Sequence, residues 1–356
     1  MVRKSSGDLR FCCDLRRLNS ISVPLFHELP LLEDVVDVVV RNKAHTTSVL
    51  DLRAAYYQLP VTAETAGKTS FITPHRGVFK HLRLPMGSCQ SSFYMSAALN
   101  KLFRYELGTF LCVYLDDILV ASSSPEIHLW HLRTVREANL KLHPGKCQFM
   151  LKKLRYLGHI FSADGVQIDP KKTEVVRNFP RPKTVKNVRM FLGMTNFHRR
   201  LISNYADKAY GLTKLLRGNT VFAWGDEQET SFQCLKGALV SPPVLALPDS
   251  GKQMVLTCDA SDKSVSFNLS QVINGQERMI EYGARGLRKA EHNYSICDRE
   301  LLAIISGVQH YHTYISGSEF LIRTDSSALQ YLNSMKHATE RLGRWNLLLS
   351  TYIYIK

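Results

Sequence analysis

The chain has no apolar run near the 18 residues that a membrane-spanning helix needs. Its first ten residues, MVRKSSGDLR, lack the apolar core of a secretory signal. It also lacks any CxxC pair: the eight cysteines, at 12, 13, 89, 112, 147, 234, 258 and 297, are scattered, several inside apolar runs. This spacing indicates no zinc site and no disulfide framework. The expectation is reduced, mostly buried thiols in a soluble intracellular protein, cytoplasmic or nuclear, with no membrane partner. A hydrophobic content of 45% against 22% charged residues excludes a disordered chain. Its 356 residues suffice for two or three domains with their own cores.

Acidic residues are scarce in one place. Residues 141–217 hold 17 Lys and Arg against four Asp and Glu, a balance of +13 out of +15 for the whole chain. A polyanion, most simply nucleic acid, is the partner this predicts; a solvated basic face is the alternative.

What is present centres on residues 110–121, FLCVYLDDILVA. Two short β-prone runs meeting at Asp116-Asp117 predict a hairpin with the acids at its tip. Adjacent carboxylates repel and are costly to desolvate, so core packing gives little reason for them. A polar turn is one reading of the pair, and a site for a hard divalent cation such as Mg²⁺ is the other. Earlier, residues 3–19 predict a basic hairpin with Lys4 and Arg10 near its base, where a triphosphate could be held. Residues 46–60, TTSVLDLRAAYYQLP, predict a strand ending at Asp51 and a short helical stretch over 53–58. A strand over 78–82, a tight turn at Pro85-Met86-Gly87, and helices over 91–107 and 129–142 follow. Thr184 can cap a helix running to Phe197, with Val188, Phe191, Leu192 and Thr195 on one face and Lys186 and Arg189 off it. Pro242-Pro243 and Pro248 mark a boundary. Beyond it come a strand ending at Asp259, a helix over 297–311 with Glu300 at the edge of its apolar stripe, a strand over 320–329 carrying Asp325, a helix over 341–349 and a final strand over 351–355.

A basic hairpin, a strand ending in Asp, LPMG (84–87), YLDD (114–117), HPGKC (143–147) and YLGH (156–159) stand in the order found in reverse transcriptases. The chain resembles the gypsy-type LTR retrotransposon Pol polyprotein over essentially its whole length. The resemblance implies an α+β fold: a right-hand polymerase with fingers and palm over 1–160, a thumb and connecting region over 161–245, and a ribonuclease H-like α/β domain over 246–356. It implies an RNA-directed DNA polymerase working by two-metal nucleotidyl transfer, with two Mg²⁺ per site and Mn²⁺ as a substitute. The expected partners are an RNA or DNA template with primer, deoxynucleoside triphosphates and an RNA–DNA hybrid. Asp51 and Asp116 would be direct metal ligands and Asp117 a supporting one. Arg10 and Lys4 match triphosphate contacts, and Lys146 a lysine placed to protonate pyrophosphate. Tyr156, Leu157, Gly158 and His159 match the primer grip, and Met86 and Gly87 the nucleotide pocket. Tyr56 matches the steric gate that excludes ribonucleotides; its alternative is an ordinary core aromatic. Lys186 and Arg189 would contact the template–primer backbone, and Asp259, Glu300 and Asp325 would hold metal in the ribonuclease H-like domain.

The chain departs from this pattern in places. Ser92 and Met95 stand where the family has Pro and Phe, and Ser264, Val265, Ser266 and Phe267 where it favours small residues; the bulky Phe267 is expected to disturb its strand. The chain is expected to be a fragment of a longer polyprotein, without upstream fingers residues and without the last ribonuclease H carboxylate, so that hydrolysis of a hybrid would be weak or absent. A dead relic that only binds nucleic acid and a DNA-templated polymerase with a similar palm are the competing readings.

Overall fold

The run TTSVLD supplies β-branched and apolar residues in sequence, and it forms strand β1 (Thr46–Asp51). The 110–121 run folds back on itself as β2 (Leu111–Tyr114) and β3 (Asp117–Ser122), and a fourth strand, β4 (Gln148–Leu151), completes an antiparallel sheet of order β2-β3-β1-β4. In the computed structural model, the described residues are all but 1, 4–6, 8, 11, 26–31, 74, 163–164, 219–220, 250, 326–339 and 356. The chain forms two units, residues 1–154 and 155–356.

In the first unit, the sheet face carrying Leu50, Ile118 and Val120 packs on helices α1 (Ser91–Leu102) and α2 (Pro125–Glu137), through Met95, Leu99 and Val135. Strand alternation therefore puts Asp51 and Asp117, which are register partners, on the opposite face. Helix α2 starts four residues earlier than the sequence pattern implies, because Ser124 caps Ile127 and Pro125 occupies the first turn. It stops at Glu137, and Asn139 follows with φ of +54°. Helix α1 ends at Leu102, short of 107, and the strand expected over 78–82 covers Gly77–Phe79. Beneath the sheet, His128 is fully buried between two serines, with Ser48 Oγ 2.6 Å from Nε2 and Ser122 Oγ 2.7 Å from Nδ1. Burial and the neighbouring His131 hold its pKa down to about 4, so the ring is neutral at pH 7.

The second unit begins with a three-stranded sheet of β5 (Leu154–Tyr156, which starts at the unit boundary), β6 (His159–Ser162) and β7 (Gly165–Ile168). Four helices follow: α3 (Pro170–Arg177), α4 (Val185–Phe197), α5 (Tyr205–Lys214) and α6 (Asp226–Val240). Their common core includes Val188, Phe191, Leu192, Leu212, Phe232 and Leu235. Helix α4 has the cap and the buried face expected of it: Thr184 Oγ1 accepts from Asn187 N, and Val188, Phe191, Leu192 and Thr195 are buried. Lys186 and Arg189 are exposed.

The chain ends in a five-stranded sheet of order β10 (Gln276–Gly286), β9 (Ser264–Ile273), β8 (Met254–Ala260), β11 (Phe320–Arg323), β12 (Tyr354–Ile355). The first three are an antiparallel meander. The crossover through helix α7 (Ile296–His310) makes β11 parallel to β8, and β12 parallel to β11. Helix α8 (Glu340–Leu349) packs on this core through Leu342 and Leu349. The strand expected over 320–329 stops at Arg323, leaving Asp325 in a bend two residues on; residues 326–329 lie outside the described ones. The last strand is likewise shorter than 351–355.

Phe267 does not disturb its strand. It is buried in the domain core, and Gly283 stands directly across the ladder from it. A Cβ on Gly283 would lie 2.4 Å from two ring carbons of Phe267, and one on Gly307 would lie 2.8 Å from the Phe267 Cβ. Two glycines thus make the room that the large side chain takes, as aromatic residues cover cross-strand glycines elsewhere.

Candidate carboxylate sites

Asp117 opens β3 and pairs across the ladder with Asp51, the last residue of β1, and with Tyr114 of β2. Asp116 lies in the two-residue turn between β2 and β3, after Leu115, whose φ of +56° is unusual for a residue with a side chain. Ala54, just after Asp51, has φ of +50°. Two such conformations flanking the carboxylates cost on the order of 1 kcal/mol each and hold the acids at the strand ends. Asp117 is half-buried, and its pKa is pushed up to about 6 by burial, then by Asp116 and Asp51, with Lys146 acting the other way. Asp51 and Asp116 are thus close enough to Asp117 to raise its pKa, with Lys146 as a counter-charge, and the three are hard-oxygen donors of the kind that suits a divalent cation, although their oxygens do not all lie within 4.8 Å of one another.

That lysine is placed by the HPGKC turn. His143 N donates to Asp51 O at 2.8 Å, and Lys146 N donates back to His143 O. This brings Lys146 Nζ to 3.2 Å from Asp51 Oδ2. Gln58 ties the same turn to the end of β1. Its Nε2 donates to the carbonyls of Arg53 and Lys141, and its Oε1 accepts from Lys141 N. Neither His143 nor Gln58 stands out in the sequence as a supporting residue; the signal was their place beside Asp51 and Lys146.

Tyr56 lies on a 3-10 turn, Ala55–Gln58, half-buried against the sheet core, and its hydroxyl is 3.2 Å from Ser92 Oγ. A proline at 92 could not make that bond, so the departure from the family pattern is tied to the residue matched to the gate. Gly87 has φ of +99° and follows the half-buried Met86. Asn19 clamps this loop by donating to Gly87 O and accepting from Cys89 N. Arg10 lies on a short ladder in which Val2 pairs Arg10 and Arg3 pairs Leu9; Lys4 and the side chain of Arg10 lie outside the described residues.

In the second unit, Leu157 and Gly158 both have positive φ, +49° and +75°, and make the tight two-residue turn from Tyr156 in β5 to His159 in β6. His159 is buried, 3.3 Å from His198, and burial drives both imidazoles down to about 4. Both rings are therefore neutral at pH 7.

Asp259, Glu300 and Asp325 come together. One oxygen of each lies within 4.8 Å of the other two. Asp259 and Asp325 are exposed, while Glu300 is buried, with no hydrogen-bond partner for Oε2 among the described residues. Burial, followed by Asp259 and Asp325, pushes Glu300 up to about 7. A buried glutamate with an orphaned oxygen, beside two further acids, fits a cation ligand set.

Residues 2–161 match the family model described as reverse transcriptase (RNA-dependent DNA polymerase), and residues 249–352 match the RNase H-like domain found in reverse transcriptase. The chain is 34% identical over 348 residues to the Retrovirus-related Pol polyprotein from transposon 297 of Drosophila melanogaster, covering 96% of this chain and 32% of that protein. It is 31% identical over 360 residues to the transposon Tf2-3 polyprotein of Schizosaccharomyces pombe, covering 99% of this chain and 27% of the relative. The chain thus spans about a third or less of the length of these curated relatives. Its fold is similar to a foamy viral protease-reverse transcriptase dRH solved in complex with double-stranded DNA. The TM-score is 0.81 at 21% identity, over 100% of this chain and 64% of that one. A foamy viral protease-reverse transcriptase in complex with an RNA/DNA hybrid gives a TM-score of 0.71 at 20% identity, over 96% and 48%. With both domain models in polymerase-then-RNase H order and relatives that align over nearly the whole of it, the chain belongs to the reverse transcriptases of gypsy-type LTR-retrotransposon Pol polyproteins, and carries their RNase H-like domain.

Proposed function

We propose that this chain extends a DNA primer on an RNA or DNA template from deoxynucleoside triphosphates, at the site made by Asp51, Asp116 and Asp117. The observation that carries the proposal is the pairing of Asp51 with Asp117 at adjoining strand ends, with Asp116 in the turn and Lys146 on Asp51. Divalent cations are general to the family; here Asp51 and Asp116 would be direct ligands and Asp117 a supporting one. Two Mg²⁺ held there, or Mn²⁺ in their place, would lower the pKa of the primer 3′-hydroxyl and steady the departing pyrophosphate.

The remaining roles belong to the chain's own side chains. Lys146 has an exposed ammonium 3.2 Å from Asp51, and it would neutralise and then protonate pyrophosphate. Arg10 and Lys4 would take the triphosphate through charge-assisted hydrogen bonds. Tyr56 would close the space beneath the sugar against a 2′-hydroxyl, in a pocket bounded by Met86 and Gly87. The turn Tyr156, Leu157, Gly158 and His159 would grip the primer. The exposed Lys186 and Arg189, on a helix whose other face is buried, suit sequence-independent phosphate contacts. In the RNase H-like domain, Asp259, Glu300 and Asp325 would hold a divalent cation over the RNA strand of a hybrid. Extension of a labelled DNA primer on an RNA template tests the reading. It should require Mg²⁺ and stop on chelation; no extension in either Mg²⁺ or Mn²⁺ would leave only nucleic-acid binding.

A further inference from the structure

The face of α7 turned away from Glu300 borders a pocket of about 660 Å³, within the usual range for small-molecule sites. Helical spacing sets Leu302, Ser306 and Gln309, which line it, roughly opposite Glu300. The pocket is therefore not the carboxylate site.

Its walls are cationic, with five arginines against one acid, Glu291. Two of the five are engaged: Arg285 bonds Glu291 at 2.7 Å, and Arg341 bonds Asp298 at 2.9 Å. The other three form no ion pair among the described residues. Arg199 donates to the carbonyl of Ala284, the exposed Arg288 feels the charge of Glu291 at longer range and donates its backbone N–H to it, and Arg344 is exposed. Like charges gathered around one cavity repel, so folding alone gives no reason for the arrangement. The pocket also has an aromatic side, where Trp345 and Tyr294 lie 6.3 Å apart. The Arg341 guanidinium sits 4.0 Å from the centre of the Tyr294 ring and 5.4 Å from that of Trp345.

Guanidiniums in excess of their acids select phosphate, for which their forked donors are shaped. An indole face offers stacking to a base, and the Gln309 amide can both donate to and accept from a base edge. An acidic peptide would satisfy the charge but not the aromatic wall and the amide. We propose that this pocket binds a nucleotide unit, with its phosphate on Arg199, Arg288 and Arg344 and its base against Trp345. The source is either a free mononucleotide or one residue of a single strand; the second rests on the reading of the chain as a polymerase.

The test uses the full chain in EDTA, so that neither carboxylate site holds metal. The probe is dAMP carrying an N-methylanthraniloyl group, read by energy transfer from tryptophan. Saturable binding is expected, at least tenfold weaker in the Arg288→Ala, Arg344→Ala pair and unchanged in Asp116→Asn and Asp259→Asn. Trp345→Phe should remove most of the transfer. Displacement by dT10 at lower nucleotide concentration than by dAMP identifies a strand as the source, and the reverse a free nucleotide. No saturable binding, equal affinity in the paired variant, or displacement by poly-glutamate but by neither nucleotide would overturn the proposal. If the pair loses its circular dichroism, Arg288→Gln alone serves, with at least a threefold loss expected and an unchanged affinity counting against the site. Failed primer extension alongside the expected probe behaviour would remove the polymerase reading and leave the pocket. Robust extension with no probe binding would remove the pocket alone.

Discussion

Gly283→Ala tests how the RNase H-like sheet accommodates Phe267. The new methyl would stand 2.4 Å from ring atoms Cδ2 and Cε2 and 2.7 Å from the Phe267 carbonyl oxygen. Carbon atoms settle at about 3.5–4.0 Å, so the ring must retreat by about 1 Å. Gly307 lies against its Cβ from the helix side, and the 2.7 Å contact with the backbone oxygen is not relieved by moving the ring. Overpacking of this kind costs about 1–3 kcal/mol, and the reduced chain entropy of alanine returns about 0.5–1 kcal/mol. The net loss is then about 1–2 kcal/mol. With two units in the chain, a single unfolding free energy is poorly defined, so hydrogen exchange of β9 and β10 is the better assay. Protection there should fall about 5–30-fold in Gly283→Ala. Phe267→Ala alone should cost about 3–5 kcal/mol through the cavity it leaves. In that background the ring clash is gone and only the contact with the backbone oxygen of residue 267 remains, so the cost of Gly283→Ala should drop by about 1 kcal/mol or more. Equal costs of Gly283→Ala in both backgrounds would refute the packing account.

His128 gives a pH prediction. Its folded pKa of about 4 lies below the ordinary value of about 6.5, so the unfolded chain takes the proton first as pH falls. Stability held above pH 6.5 should decline by about 1–3 kcal/mol toward pH 4, and a melting temperature whose slope over that range is the same in His128→Gln would contradict it. Paired Lys186→Ala and Arg189→Ala should weaken template–primer binding alike for all sequences and reduce the salt slope by about 2; an unchanged slope takes both residues off the interface. Tyr56→Ala should lower the ratio of kcat/KM for a deoxynucleotide over its ribonucleotide by about tenfold or more, and Ser92→Ala, by freeing the phenol, by a smaller factor. A fixed ratio in Tyr56→Ala makes that residue a core aromatic.

Much of this architecture is legible in the sequence where one period dominates. The strand ending at Asp51 and the α4 stripe of Val188, Phe191, Leu192 and Thr195 stand where alternation and helical spacing put them. Element ends are less legible. Helix α2 begins at a Ser-Pro cap outside its apolar pattern, and β11 stops before the polar Thr324-Asp325. The effect of Phe267 depends on Gly283, across a ladder, and on Gly307, on a helix, which no local window connects. Likewise the hold of Gln58 on Lys141 joins residues 83 apart in sequence. The three acids of the RNase H-like domain were legible as types and contexts, but the orphaned oxygen of Glu300 is a matter of tertiary burial.

The central claim is that carboxylates at the ends of β1 and β3 do the chemistry while basic surfaces elsewhere hold the nucleic acid. Asp116→Asn keeps the shape of the turn and removes one charge. Single-turnover primer extension in Mg²⁺ and template–primer affinity, measured on the same preparation, separate the two functions. The account predicts extension below a few per cent of the parent with affinity changed less than about threefold, a shift of under 1 kcal/mol. Extension by the variant above that level, at equal affinity, would contradict it.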